Sequence, residues 1–600
     1  MFNFSKIKHL DNQYGLPRPW KIYCLFLMAQ AIVAITTLHI EYGFSRRGVI
    51  FHLFFLYFLV IALYLIANPL KRFSLARKYI IPISLGAIQL ILLLIYIAAF
   101  IGFQFTGSPP SFEMLFAYTH SLQQLAELAG ISVYWITSGL LFFFFISSIF
   151  SIRIFKNYHV EYINTRWLWL TLGILFLLYA LTQPWSVKGD ILHDMYFGNN
   201  NFTMAPKGLL SNKKPLMPTY LKSNTNNSKI KTRPLVLITV DALRSDAMQV
   251  YGNATLNTPF LSSLFASGQL QRLENARSIC TFSYCGLVGL LSSQYWSQLD
   301  RTPYNLPDAL HENGYENHFL LSGDHVHFHR LRRQYGDNIK TYLDSSIHSG
   351  GLMNDDYTIN HWLTELKPEN PDRSFLYLHL MSVHSIGVRD KKIHAQVVDS
   401  TVNDHRLIGG EDLGKRVQSY NDGIVQADES IRKIFAWLKS HNWLDDALII
   451  ITADHGESLG EFNTLGHGGL PFEPVTRIPL LIFDKHALPF PKRVIYSQVD
   501  VAPTFLEAIG APIPMQWSGI PLQRPTERCA VPINSFNAKG VVGVVNGVPL
   551  KYLEIKGAPP RRYLFDLRKS EDGQPTMAGT TESKKLVSQL SDCSARGFQQ

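Results

Sequence analysis

Charged residues are scarce in this chain. Asp, Glu, Lys and Arg make up 17% of its 600 residues, where about 25% is usual for a globular protein. The shortfall falls mainly on the first 185 positions, which are crowded with apolar residues, and the remainder reads as an ordinary globular chain. The formal net charge of +10 forms no basic stripe interleaved with aromatics, so a nucleic-acid partner is excluded. Cysteine is also sparse: Cys24, Cys280, Cys285, Cys529 and Cys593. No CxxC or Cys/His spacing points to a structural zinc site. Cys24 lies in an apolar run and reads as a small core residue. The other four are available for disulfides if their region is exported, with three pairings open.

Long apolar runs are abundant at the N-terminus. Five stretches, near 21–40, 48–68, 79–102, 130–151 and 165–184, are long enough to cross a bilayer, which takes roughly 20 residues. The first lacks the small-residue cleavage site of a signal peptide. Lys6, Lys8 and Arg18 precede the first run. Lys71, Arg72, Arg77 and Lys78 lie between the second and third, and Arg153, Lys156 and Arg166 between the fourth and fifth. Only Arg46 and Arg47 go against the pattern. Positive charge marks cytoplasmic loops, so the N-terminus is expected in the cytoplasm and everything after residue 185 outside. The expected organisation is a membrane domain over 1–185, a linker over 186–233 and an extracytoplasmic domain over 234–600. The linker is polar and rich in Gly, Asn and Lys, although it could also lie along the membrane.

The outer region opens with Leu235 to Val240, a short continuous apolar run that suits a buried parallel strand. Ala447–Thr452 and Phe375–Leu380 read the same way, with helical stretches such as 420–439 between. This alternation predicts a mostly parallel sheet between helices. The three runs end on Asp241, on Asp454 and His455, and four residues before His384. Ligands gather at the carboxyl edge of such sheets. Carboxylates and imidazoles converging there suit a divalent metal.

Motif order and spacing over about 234–525 are more specific. Leu237-Ile-Thr-Val-Asp241-Ala-Leu-Arg-Ser-Asp246 is followed by Asn257-Thr-Pro-Phe-Leu261, then by Ile451-Thr-Ala-Asp454-His455-Gly456-Glu457 and Gly466-His467-Gly468. This series resembles the alkaline phosphatase/sulfatase superfamily. With the preceding apolar runs it resembles the membrane-bound branch of phosphoethanolamine transferases and lipoteichoic acid synthases. The resemblance implies an α-helical membrane domain joined to an α/β sulfatase-like domain. It also implies a multi-pass protein of a bacterial inner membrane with a periplasmic catalytic domain, acting on membrane lipids or lipid-linked glycans.

The family places its nucleophile at a helix start. Leu287, Leu290 and Leu291 follow Ser283 by four, seven and eight positions, the buried stripe of a helix that Ser283 would cap. Ser283 is therefore the expected nucleophile, with Thr281 as the alternative. Formylglycine-dependent sulfatases carry a C/S-x-P-x-R signature, whereas Ser283-Tyr-Cys-Gly-Leu287 has neither Pro nor Arg. That favours an unmodified hydroxyl and phosphate chemistry. A sulfuric-ester or phosphonate-ester hydrolase is the alternative enzyme, and a catalytically silent lipid sensor the alternative class. By resemblance, Asp241, Ser283, Asp454 and His455 hold one divalent ion. Zinc or manganese is expected rather than calcium, because Ala242 stands where many relatives have a second acid. His384 and His467 are the expected catalytic histidines, Asp324 and His325 the expected further substrate contacts. A disulfide between Cys280 and Cys285, which bracket Ser283, is left open.

Overall fold

In the computed structural model the described residues are 16–42, 46–106, 133–155, 230–299, 303–347, 361–389, 413–555 and 560–568, apart from single positions within these ranges and a few isolated residues outside them. The chain divides into two compact units, Met1–Thr203 and Met204–Gln600.

The first unit contains α1 (Arg18–Tyr42), α2 (Arg46–Ala67), α3 (Ile81–Thr106) and α4 (Val133–Phe155). They match the first four expected runs. The fifth, 165–184, and most of the expected linker lie outside the described residues. Trp20, Tyr23, Leu56, Tyr64, Leu85 and Tyr96 pack into one apolar core. The Trp20 ring meets Tyr64 and Phe155 edge-on at 5.4 and 5.3 Å. Two buried tyrosine hydroxyls have partners: Tyr23 donates to the Leu85 carbonyl at 2.8 Å, and the Tyr96 hydroxyl lies 2.7 Å from His52. The outward faces are apolar too, with Leu25, Ile66, Phe142 and Phe145 exposed. Among the described residues, Lys78–Ala99 and Thr137–Phe155 are long and apolar enough to cross a membrane.

The second unit is built on a seven-stranded sheet. In chain order its strands are β1 (Leu235–Val240), β2 (Leu270–Arg272), β3 (Glu316–Leu321), β4 (Thr341–Asp344), β5 (Ser374–Leu380), β6 (Leu448–Thr452) and β7 (Leu480–Phe483). Their spatial order is β2-β7-β6-β1-β5-β3-β4. Strands β6, β1, β5, β3 and β4 run parallel, and β7 and β2 close one edge antiparallel. Every residue of β1, β5 and β6 is buried, which is why these strands read as unbroken apolar runs. The ends of β1, β5 and β6 therefore fall side by side at one edge. Helix α5 (Ser283–Ser292) and the long α6 (Leu413–Ser440) belong to this unit. Beyond residue 529 comes a feature that the sequence reading did not separate: an antiparallel sheet of β8 (Ala530–Asn534), β9 (Ala538–Val545), β10 (Val548–Ile555), β11 (Arg561–Asp566) and β12 (Thr576–Met577). It joins the segment leading into Ser283 through backbone pairing of Thr281 with Asn534 and the stacked rings of Phe282 and Phe536.

Candidate active site

Asp241 follows the last residue of β1, and its N–H donates to the Leu380 carbonyl of β5 at 2.9 Å. Ala242 then takes a left-handed φ of 62°, unusual for a residue with a Cβ. This turn brings the Ala242 N–H to Asp454 Oδ1 at 3.2 Å, while the Ala242 carbonyl accepts from the Tyr420 hydroxyl at 2.7 Å. The ends of β1 and β6 are thereby tied together.

Asp454 and His455 follow β6 and are wholly buried. The His455 ring sets its own tautomer: Nδ1 lies 2.8 Å from the Gly456 carbonyl, which can only accept, so Nδ1 carries the proton. The Nε2 lone pair then faces inward. It lies 3.0 Å from Ser283 Oγ, 3.3 Å from Asp454 Oδ2 and 3.7 Å from Asp241 Oδ1. The Ser283 hydroxyl donates to Asp241 Oδ2 at 3.3 Å.

Phe282, with an extended φ of −152°, is the capping position of α5, and Ser283 is its first helical residue. The expectation that Ser283 caps the helix is corrected on this point. Its hydroxyl bonds Asp241 and His455 instead. The helix start still directs free N–H groups and the positive dipole end toward this spot. Gly286 explains how the helix comes so close: a Cβ there would lie 2.5 Å from the Asp454 carbonyl oxygen. Gln498 braces the junction, donating to the Ala453 and Asp454 carbonyls at 3.1 and 3.0 Å. A disulfide joins Cys280 to Cys285 across the turn.

Asp241, Asp454 and His455 offer ligand atoms that all lie within 4.8 Å of one another. Asp241 Oδ1 and Asp454 Oδ2 are buried and accept no hydrogen bond. Two orphaned carboxylate oxygens and an imidazole lone pair repel one another unless a cation lies between them. The donor set therefore fits one divalent ion. Electrostatics already separate the two acids. Burial raises Asp241, but His384, His379 and His455 outweigh it and hold its carboxyl well below the usual range. Asp454 is raised by burial and by the Asp241 charge.

Two more histidines face this cluster. His467 sits between Gly466 and Gly468, whose left-handed φ of 82° each lets the loop fold inward. The Gly468 N–H donates to the Thr281 carbonyl. The His467 ring lies 4.3 Å from the His455 ring and 5.0 Å from the His384 ring. Burial opposes its charge, but Glu457, 2.7 Å from its Nδ1, raises its pKa to about 9. His384 is pushed down to about 4, chiefly by burial. Its Nδ1 accepts from the Ile386 N–H at 3.2 Å, so the neutral ring carries its proton on Nε2. Asp355 and Arg389 brace the loop holding His384 through its backbone.

The sulfatase family model matches residues 233–511. This region is a sulfatase-family domain. The match includes every metal-facing residue described above. Among curated relatives, the multifunctional alkaline phosphatase superfamily protein PehA of Trinickia caryophylli is 39% identical over 100 residues, 16% of this chain and 19% of that protein. An arylsulfatase of Clostridium perfringens is 20% identical over 374 residues, 48% of this chain and 77% of its own length. The matched segments span only 19% of PehA and 14% of a Drosophila melanogaster extracellular sulfatase SULF-1 homolog. Among solved structures, the C-terminal periplasmic domain of EcEptC from Escherichia coli, in complex with Zn, is 15% identical with a TM-score of 0.45, covering 54% of this chain and 94% of that one. The phosphonate monoester hydrolase of Agrobacterium radiobacter is 17% identical with a TM-score of 0.48, covering 61% and 96%.

Within the sulfatase domain the other expected site residues lie elsewhere. The Thr281 hydroxyl is 3.5 Å from the Gly469 carbonyl rather than at the carboxylates. Asp324 bonds within its own turn, to the His327 N–H and Nδ1 at 2.9 and 2.7 Å. Both ring nitrogens of His325 are taken, by the Tyr335 hydroxyl at 2.8 Å and the Ser322 carbonyl at 3.1 Å. Asp324 and His325 are thus held by partners in and beside their own turn, and the structure does not bring them together with Asp241, Asp454 and His455. The sequence reading assigned no role to Glu457, inside the Asp454–Glu457 motif, or to His379, inside β5. The only sequence signal for either was a polar residue in an otherwise apolar or ligand-bearing stretch.

Proposed function

We propose that this protein is a membrane-anchored, metal-dependent enzyme that transfers or hydrolyses a phosphoester head group through Ser283. The observation that carries this reading is the Ser283 hydroxyl at a helix start, within hydrogen-bonding reach of both Asp241 and His455. Asp241, Asp454, His455 and Ser283 would hold the ion, and a bound divalent ion supplies the positive charge that lowers the pKa of a hydroxyl. Ser283 gives its proton to solvent water, its oxygen attacks phosphorus, the bond to the leaving alcohol breaks, and a phosphoseryl enzyme forms. His467, protonated beside Glu457, gives its proton to the departing oxygen. His384 donates from Nε2 to a phosphoryl oxygen where charge develops. An acceptor alcohol or water then takes the phosphoryl group from Ser283.

The absence of Pro and Arg after Ser283 favours phosphate over formylglycine-based sulfate chemistry. Helices apolar on every face suit a lipid surround, and a disulfide suits an exported domain. These features support a multi-pass inner-membrane protein over 1–185 with a periplasmic catalytic domain. Membrane lipids or lipid-linked glycans would be donor and acceptor, and zinc or manganese the ion.

The test uses the full chain in lipid-containing detergent. Wild type should release or transfer a phospholipid head group and hold about one metal ion. Ser283→Ala should lose on the order of 10⁴-fold in rate while keeping most of its metal. Full activity in Ser283→Ala, or cleavage of sulfate esters in preference to phosphodiesters, rejects this reading.

A further inference from the structure

We propose that a cavity apart from Ser283 is a second binding site, built on Arg477 and Ser245, for a small molecule that carries a phosphate group. The cavity has a volume of about 430 Å³ and is lined by Ser245, Asp246, Tyr251, Asn253, Glu274 and Arg477 among others. That size falls within the range of small-molecule sites. None of the residues that face the metal cluster lines it, so it stands independently of the reading of Ser283 as nucleophile.

Most polar groups around the cavity are already engaged. Asp246 takes two bonds from Arg244, at 2.9 and 2.7 Å, and Glu274 pairs with Arg272 at 2.6 Å. The Asn253 amide donates to the Asp246 carbonyl and accepts from the Thr255 N–H, each at 2.9 Å. The Tyr251 hydroxyl accepts from the Leu480 N–H at 2.7 Å. Two side chains remain. Among the described residues, the Arg477 guanidinium has no hydrogen bond and no ion pair, whereas the nearby Arg244, Arg272 and Arg277 each pair with an acid. Ser245 is only 2% exposed, yet its hydroxyl has no hydrogen-bond partner among the described residues. A buried hydroxyl left without a partner calls for a ligand or a water. The two residues are adjacent, since the Ser245 N–H donates to the Arg477 carbonyl at 3.3 Å.

This pair defines the chemistry of the ligand. A guanidinium is a planar fork that donates to two oxygens of one anion. The Ser245 hydroxyl adds a third donor, which a tetrahedral phosphate can use and a planar carboxylate cannot. The charges of Asp246 and Glu274 are answered by Arg244 and Arg272, so Arg477 supplies the unbalanced positive charge of the lining. The same two carboxylates keep lone pairs for hydroxyl or ammonium groups on the rest of the molecule.

Calorimetric titration of the metal-stripped full chain in detergent, with inorganic phosphate and with glycerol phosphate, tests the proposal. Wild type should bind glycerol phosphate more tightly than inorganic phosphate. Arg477→Gln should weaken binding about 10- to 100-fold, the size of a charge-assisted contact. Arg477→Lys, which keeps the charge without the fork, should lie between them. Ser245→Ala should weaken binding several-fold. His467→Gln, which removes a cation at the Ser283 site, should bind as wild type does. Arg477→Gln should melt with wild type, because no partner of Arg477 among the described residues is lost; if it does not fold, Arg477→Lys decides. Competition by phosphatidylglycerol vesicles identifies the ligand as a lipid head group, and lack of competition as a soluble phosphate ester; both support the site. No binding of either probe to wild type overturns it, as does equal affinity in wild type and Arg477→Gln. Binding lost in His467→Gln but kept in Arg477→Gln puts the anion at Ser283 and also overturns it.

Discussion

Two groups of buried polar side chains meet at Ser283, and burial affects them differently. Asp241, Asp454 and His455 present lone pairs to a common point, with two carboxylate oxygens left unbonded. His384 and His467 present protons instead. In the first group, the unbonded carboxylate oxygens leave a place that a cation would fill. In the second, the positive charge is built in, because Glu457 is 2.7 Å from His467, while among the described residues His384 has no carboxylate hydrogen bond and is driven neutral chiefly by burial. One site thus combines a place for an external cation, a fixed protonated imidazole and a neutral imidazole donor. The contrast shows that residue type alone does not assign a role here. The partner behind each ring does.

The largest expected break in this comparison is Asp454→Asn. It removes a charged ligand and should lower turnover by on the order of 10³-fold or more. Metal analysis should show loss of the ion, and the pH response of His467 should remain.

Next is Glu457→Gln, which acts on the histidine pair alone. His467 has a folded-state pKa raised above its unfolded value to about 9. The stability it contributes is therefore complete below about pH 6.5, the unfolded value, and is lost as pH rises through about 9. Melting curves of metal-free wild type should fall over that window, and those of Glu457→Gln should stay flatter. Identical pH profiles would remove the built-in charge from the account.

A smaller effect is expected at the Cys280–Cys285 disulfide, whose cysteines are five residues apart. The double Ser variant should lose about 2 kcal/mol in denaturant unfolding by the loop-closure relation. Its metal affinity should fall more than the pH response of His467 changes, since the disulfide spans Ser283. Thr281→Val should be the mildest. Its hydroxyl faces a carbonyl away from the carboxylates, so a change in turnover of no more than about threefold is expected, the size of one weak hydrogen bond. A collapse of activity there would return Thr281 to the nucleophile position.

Much of the sulfatase domain was legible because buried parallel strands are unbroken apolar runs. Leu235–Val240 was bounded correctly, and the strands at 375–380 and 447–452 shifted by a single residue. Asp241, Asp454 and His455 could be read because they follow such runs directly. The C-terminal antiparallel sheet was not separated, because its strands alternate buried and partly exposed residues more irregularly. The loop at 322–329 was not resolved by the sequence for a different reason. A cluster of polar residues looks alike whether its atoms face a substrate or neighbouring side chains, and here Asp324 meets His327 while His325 meets Tyr335 and the Ser322 carbonyl.

The sequence by itself determined the chemistry on offer: the strand ends, the acids and histidines that follow them, a helix start at Ser283 and apolar helices at the N-terminus. Those are local properties, set by composition and periodicity. Only the tertiary structure decided which atoms are free to act. The Gly456 carbonyl fixes the His455 tautomer, and Glu457 charges His467. Each of these depends on a single proton being used up by a particular neighbour, and that accounting closes only once the chain has folded.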